Sequence, residues 1–275
     1  MSELTGRRCI FCEAAGPLTR EHVIPLWLTE IISDQEPETP DWRIHYSSGG
    51  LVERDRQYSV PDPTVIVRAV CGSCNTGWMS ELEQRVQPLI GPMVGGHRTT
   101  LDPRQQLEVA TWASKTMMAL EFHEPGTSVT TPADRTLMRS ELRPPHHHRV
   151  RLAYRDAYSE SLVAKMLVAG TENAKDSQPD CFALLLAIGF LVVQVWGGHG
   201  TSTEVEPDFV GTERRRTLSV LPPVPRTVSW PPSVSVSDED LDALAREPIS
   251  WADDSPELAT WREMRRPDDW DDSEP

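Results

Sequence analysis

The sequence predicts an α+β protein, in which a small unit of two strands and a helix precedes a helical segment and a β-rich unit. Two C-x2-C pairs lie far apart in a chain of 275 residues. Apolar residues recur at helical spacing after the second pair. Alternating, β-branched stretches dominate the later part of the chain. A chain of this length forms one or two domains, and we place a first domain at 1–95, an accessory domain at 96–236 and a tail at 237–275.

The formal charge of −15 is unevenly distributed along the chain. Residues 237–275 hold fourteen acidic residues against four arginines. We expect this tail to be docked on a surface or partly disordered, and it is a candidate contact for a protein partner. No stretch is strongly basic, which disfavours a tight, general nucleic-acid binder.

The N-terminus has no apolar segment typical of a signal peptide. The most apolar run, residues 181–196, is too short for a membrane span and is expected to form two buried strands. A reducing, cytoplasmic location is therefore expected.

The two cysteine pairs, Cys9 with Cys12 and Cys71 with Cys74, indicate a metal site. A C-x2-C turn lets two thiolates reach one ion, and four thiolates specify tetrahedral zinc in a closed, structural site. The alternative is two unrelated redox or core pairs. The fifth cysteine, Cys181, lies in an apolar run.

The elements of the first domain follow from local patterns. They are a strand at 18–25, a short helix from 26 to near 33, two short strands at 42–46 and 57–60, a strand at 65–70 and a helix at 76–90. The polar stretch 34–63 is interpreted as an excursion inserted into this domain. Gly91 and Pro92 are expected to end the helix.

The accessory domain begins with a longer helix at 101–124, which Asp102 caps and Pro103 opens. The later elements are a helix at 132–142, strands at 149–155, 162–169, 182–188, 191–196 and 217–221, and a short helix at 241–246 in the tail. The runs 146–148 and 214–216 are expected to be loops.

Three polar residues beside the cysteine pairs are candidates for chemistry. A histidine such as His22 can take a proton from water near neutral pH, and the carboxylate of Glu21 can hold a hard divalent cation. The alternative is a solvated Glu21 and a packed His22. Asn75, directly after the last cysteine, either presents its oxygen to a metal or caps the helix.

The segments around these residues resemble a known family. Residues 18–28, with Glu-His-Val-Ile-Pro, and residues 71–83, with Cys-Gly-Ser-Cys-Asn, are similar to HNH endonucleases of the ββα-metal fold. The closest pattern is a bacterial and phage subgroup with four zinc-binding cysteines, which residues 107–121 also resemble loosely.

This resemblance implies a zinc-pinned ββα-metal (HNH) domain that hydrolyses phosphodiester bonds of DNA. His22 matches the general base, whereas Glu21 and Asn75 match the ligands of a catalytic Mg²⁺ or Mn²⁺ ion. The metal would stabilise charge on the phosphate and on the leaving 3′ oxygen. The implied products carry a 5′-phosphate and a 3′-hydroxyl.

The sequence departs from the family at one position. Residues 64–70 contain no asparagine or histidine, whereas the family has one there that braces the loop carrying the base. His45 and Asn75 are the candidates to replace it. Arg20 and Arg68 are candidates for phosphate contacts, or else face solvent.

Two functions follow from these patterns. The first is a metal-dependent HNH endonuclease. The alternative is a catalytically weak or inactive zinc-stabilised module that binds nucleic acid or protein, which the acidic charge and the missing family residue favour. A zinc-ribbon regulator would need a basic recognition helix, which the sequence lacks. Glu81 and Glu83, on the helix after Asn75, are expected to be solvated.

Overall fold

The computed structural model describes most of the chain between residues 7 and 237. The described residues are 7–33, 41–48, 53–59, 65–123, 128–156, 163–169, 181–198 and 217–237. The acidic tail, the helix predicted at 241–246 and the arginine run at 214–216 lie outside these ranges.

The cysteine-bearing part is built on an antiparallel pair of strands, β1 (Leu18–His22) and β4 (Ile66–Cys71). Leu18 lies opposite Cys71, and His22 lies opposite Ile66. Helix α1 (Leu26–Ser33) follows β1. After β4 come a helical turn, Gly72–Cys74, a π-helical turn, Asn75–Met79, and helix α2 (Ser80–Val94). The two strands are thus paired and followed by a helix, with α1 and two further strands between them in sequence.

Helix α2 extends beyond its predicted end at residue 90. Pro88 and Pro92 both lie inside it. A proline in a helix interior removes one hydrogen bond and costs about 3 kcal/mol. Met93 and Val94 are fully buried beyond the second proline, so burial of the continuing apolar face outweighs that penalty.

A seven-stranded sheet contains most of the predicted β-rich part. Its strands are β2 (Asp41–Ser48), β3 (Glu53–Ser59), β6 (Arg149–Tyr154), β7 (Val163–Ala169), β8 (Cys181–Ile188), β9 (Leu191–Gly198) and β10 (Thr217–Leu221). Their spatial order is β10-β6-β9-β8-β7-β2-β3. All neighbours are antiparallel except β2 and β7, which are parallel. Two strands that the sequence did not reveal, β5 (Thr99–Leu101) and β11 (Val228–Trp230), form a separate pair.

The strands β2 and β3 are inserted between β1 and β4 in sequence, yet they extend the large sheet through β7. They are therefore not confined to the cysteine-bearing part. One apolar core also runs from Cys9 to Trp230. The predicted boundary at residue 95 coincides with no break in this core.

Helix α3 (Pro103–Leu120) lies within that core, and every residue from 109 to 120 is buried. The predicted cap and opening proline are confirmed, but the helix is shorter than the predicted 101–124, because Leu101 belongs to β5 and the helix ends at Leu120. Asp102 accepts a hydrogen bond from the Gln105 N–H at 2.8 Å, and the Gln105 side chain accepts one from the Asp102 N–H at 3.0 Å. Pro103 begins the helix. Because α3 is enclosed, each polar side chain along it needs a partner inside the protein.

Helix α4 (Pro132–Glu141) is shorter and is capped by Thr131. Between α4 and β6, the 146–148 run forms the predicted loop. His147 and His148 in this loop are buried. Among the described residues, no helix combines the length and the apolar character needed to cross a membrane.

Candidate active site beside a four-cysteine cluster

The two cysteine pairs meet, as predicted. They lie at one end of the antiparallel pair formed by β1 and β4. The four Sγ atoms of Cys9, Cys12, Cys71 and Cys74 lie within 4.8 Å of one another. The Cys12 and Cys71 sulfurs are 3.6 Å apart. Zinc–sulfur bonds of about 2.3 Å in a tetrahedron separate the sulfurs by about 3.8 Å. The cluster is therefore compatible with a structural zinc ion.

Backbone hydrogen bonds shape the first cysteine turn before any ion binds. The Cys9 N–H donates to the Ala14 carbonyl at 3.1 Å, and the Glu13 N–H donates to the Cys9 carbonyl at 2.8 Å. The Ile10 N–H donates to the Ala69 carbonyl at 2.9 Å and so ties the turn to β4.

Aromatic packing joins the two cysteine pairs. The rings of Phe11 and Trp78 pack edge to face, with centroids 5.1 Å apart. Phe11 lies inside the first pair and Trp78 follows the second pair. Phe11 is fully buried, so this contact keeps the two turns together over the apolar core.

The thiols of the cluster differ in proton affinity when no ion is present. Burial raises the pKa of Cys74 to about 12. Burial acts the same way on Cys71, but hydrogen bonds from the Ser73 hydroxyl and the Cys74 N–H lower the pKa of Cys71 to about 6.

Asn75 links the helical side of the cluster to β1. Its side-chain Nδ2 donates to Thr19 Oγ1 at 3.1 Å and to the Arg20 carbonyl at 3.4 Å. Thr19 Oγ1 in turn donates to the Val70 carbonyl at 3.0 Å. Asn75 thus ties β1 to the turn that carries the second cysteine pair. No described residue donates a hydrogen bond to Asn75 Oδ1.

The braced segment contains a β-bulge. Thr19 pairs with Val70, but Glu21 pairs with Val67, so Arg20 lies opposite two residues of β4. Along this segment Arg20 is exposed, Glu21 is buried and His22 is half-buried. Consecutive side chains therefore point in different directions.

Arg68, one of the two residues opposite Arg20, is also exposed. The two predicted phosphate-binding arginines thus lie on neighbouring strands and are both accessible. His45 lies on β2, in the large sheet.

The Glu21 carboxylate faces a buried lysine. Lys115, on α3, is 0% exposed, and its Nζ lies 3.5 Å from Glu21 Oε1 and 2.8 Å from Glu83 Oε1. Glu83 comes from α2, so the three side chains join β1, α2 and α3. The expectation of a solvated Glu83 is wrong, because its carboxylate faces Lys115 and its side chain is only 23% exposed. Glu81 is exposed, as predicted.

One ammonium is shared between two carboxylates in this cluster. Burial alone would lower the pKa of Lys115, but Glu83 and Glu21 raise it, so the lysine stays charged. Burial raises the pKa of Glu21, although the nearby ammonium opposes this effect. Glu83 is nearer to the ammonium, and the negative charge of Glu21 is therefore only partly neutralised.

The oxygens of Glu21 and Asn75 suit a divalent ion in type. Carboxylate and amide oxygens are hard ligands. Lys115 contacts Glu21 through Oε1, and no described residue hydrogen-bonds Glu21 Oε2. Two protein oxygens are few, but Mg²⁺ keeps several waters and is commonly held by one or two carboxylates plus phosphate.

A second buried network connects the first cysteine turn to α3 and α4. Glu121 accepts hydrogen bonds from the Val129 N–H at 3.0 Å, from the Thr130 N–H at 3.1 Å and from the Thr130 hydroxyl. Arg135 donates to the Thr130 carbonyl and, at 3.1 Å, to the Ile10 carbonyl between the first two cysteines.

Sequence reasoning missed both buried networks. The available signal for the first was a lysine in the largely apolar part of α3, since charged residues are almost never fully buried unless paired. Nothing local distinguished Glu121 or Arg135, because their partners are brought together only by the fold.

Glu121 is expected to make the stability of the protein depend on pH. Burial raises its pKa from an ordinary 4.5 to about 7, so the folded chain holds this proton more tightly than the unfolded chain. The stabilisation is complete below pH 4.5 and is lost as the pH rises through about 7. It amounts to about 3 kcal/mol.

Urea unfolding at several pH values measures this contribution. Glu121→Gln should reduce the slope of the free energy of unfolding against pH. Glu141→Gln, at an exposed position, should leave that slope unchanged. An identical slope in wild type and Glu121→Gln would contradict the expectation.

Comparison of the chain with protein-family models, with curated proteins and with solved structures finds no match.

Proposed function

We propose that this protein is a metal-dependent nuclease in which a structural zinc ion holds a hairpin and a helix together around His22. The observation that carries the proposal is the contact of Asn75 with β1. Asn75 is fixed beside the cysteine cluster, yet its side chain reaches the backbone of the residue before Glu21. This contact joins the turn that follows the second cysteine pair to the first motif segment.

The chain's own residues have separate tasks in this proposal. His22, half-buried on the strand beside Glu21, takes a proton from the attacking water. Arg20 and Arg68, both exposed, bind phosphate oxygens of DNA. Glu21 and Asn75 present oxygens to a Mg²⁺ or Mn²⁺ ion, which when bound supplies a Lewis acid for charge developing on the phosphate and the leaving oxygen.

The proposal predicts that His22→Ala abolishes nicking of supercoiled plasmid DNA by the zinc-loaded protein in Mg²⁺ or Mn²⁺. Loss of a general base lowers a rate by about 100-fold or more. His97→Ala is a matched control, because His97 is exposed and lies outside the hairpin. Equal nicking rates for wild type and His22→Ala would remove His22 as the base.

A second candidate function is a zinc-stabilised binding module without catalysis. The burial of Glu21 favours it, since this side chain is only 5% exposed and pairs with Lys115, as a purely structural acid would. Such a module would retard labelled DNA duplexes on a gel, without cleaving them in Mg²⁺ or Mn²⁺. Cleavage that requires His22 would exclude it.

A further inference from the structure

Lys115 is the one described lysine whose side chain touches the candidate site. We propose that Lys115 is a positioning residue whose ammonium acts as a built-in counter-cation on Glu21, so that a divalent ion at Glu21 shares this carboxylate with the lysine. The inference rests on the proposed function, because Glu21 is taken as an ion ligand. It adds a residue from outside the two motif segments to the machinery of the site.

The two oxygens of Glu21 have different surroundings. Oε1 faces the Lys115 ammonium at 3.5 Å, and Oε2 has no hydrogen-bond partner among the described residues. A carboxylate can accept from a cation on each oxygen. Lys115 is fully buried, so it cannot contact a nucleic acid, and it acts only through the carboxylates that it touches.

Glu83 determines how strongly the ammonium acts on Glu21. The Lys115 Nζ is 2.8 Å from Glu83 but 3.5 Å from Glu21. The negative charge of Glu83 therefore offsets part of the ammonium charge that acts on Glu21. Like charges repel strongly in a partly desolvated cluster. The ammonium should therefore weaken binding of a divalent ion at Glu21, and Glu83 should strengthen it.

Neutralising the two groups should consequently change ion affinity in opposite directions. In Glu83→Gln, the ammonium pairs with Glu21 alone, and we expect Mn²⁺ to bind about tenfold more weakly than in wild type. Adding Lys115→Met to that variant removes the competing cation, and we expect Mn²⁺ affinity to recover by about tenfold. A lysine that only supports the fold would produce no recovery.

The experiment is Mn²⁺ titration of the full-length, zinc-loaded protein by calorimetry at one pH. The samples are wild type, Glu83→Gln and the double variant Lys115→Met/Glu83→Gln. The matched control is Glu81→Gln on the same helix, where the side chain is exposed, and its affinity should equal that of wild type. Circular dichroism melting establishes that each variant is folded.

Two results would overturn the inference. One is a folded double variant that binds Mn²⁺ no better than Glu83→Gln, and the other is a wild type that binds no Mn²⁺ beyond its zinc. If the double variant does not fold, equal affinities of Glu83→Gln and Glu81→Gln overturn it. The nicking assay separates this outcome from the proposed function. The expected Mn²⁺ pattern without His22-dependent nicking would remove the nuclease but keep the ion site and its lysine.

Discussion

Replacing Cys74 by serine is expected to abolish cooperative folding of the protein near neutral pH. Cys74 is 2% exposed and belongs to the central apolar core. Binding of structural zinc contributes about 10 kcal/mol or more to small zinc domains, which is comparable to the whole stability of a typical protein. Because the core is continuous, losing the ion should also destabilise the parts beyond the hairpin.

Thermal unfolding followed by circular dichroism, with zinc content measured on the same samples, checks this expectation. A strong chelator should reproduce the effect of Cys74→Ser in wild type. Cys181→Ser is the control, because Cys181 lies on β8, outside the cluster, and should leave one zinc ion per chain. Cys74→Ser protein with bound zinc and an unchanged melting temperature would refute a structural zinc site.

Replacing Lys115 alone by methionine is expected to lower the free energy of unfolding by about 3–5 kcal/mol. The substitution leaves Glu21 without its cation at a position that is 5% exposed, and Glu83 also loses its partner. The double variant Lys115→Met/Glu83→Gln should recover only the part of this loss that comes from Glu83, because Glu21 stays buried without a cation.

Urea unfolding at pH 7 of the single and double variants measures the coupling between the two residues. Arg104→Met is a matched control on the same helix. The Arg104 side chain is 83% exposed and lies 3.4 Å from Glu108, and removing such an exposed pair should change stability by about 1 kcal/mol or less. If Lys115→Met cost no more than Arg104→Met, the buried cluster would contribute little to the fold.

Much of the local structure was predictable because it depends on short-range chemistry. Asp102 and Pro103 mark the start of α3 by a side-chain cap and a fixed backbone angle, and the helix begins there. The Thr217–Leu221 strand is found at its predicted bounds. Four cysteines in C-x2-C pairs were enough to predict their meeting, since this spacing is typical of ligands that share one ion.

The candidate site was predictable only in part. The motif drew attention to Glu21, His22 and Asn75, but not to the β-bulge that β4 forms opposite Arg20. The absence of asparagine and histidine from residues 64–70 was visible in the sequence. Only the structure showed that Asn75 donates hydrogen bonds to Thr19 and to the Arg20 carbonyl.

The sequence by itself determined the local elements of this protein and the ligands of its cysteine cluster, because periodicity, capping and ligand spacing act over a few residues. The tertiary structure alone decided that β2 and β3 join the large sheet and that α2 continues past Pro92. It also decided that Lys115 lies between Glu21 and Glu83. Strand pairing, burial and charge partners depend on which surfaces meet in space, and no local pattern carries that information.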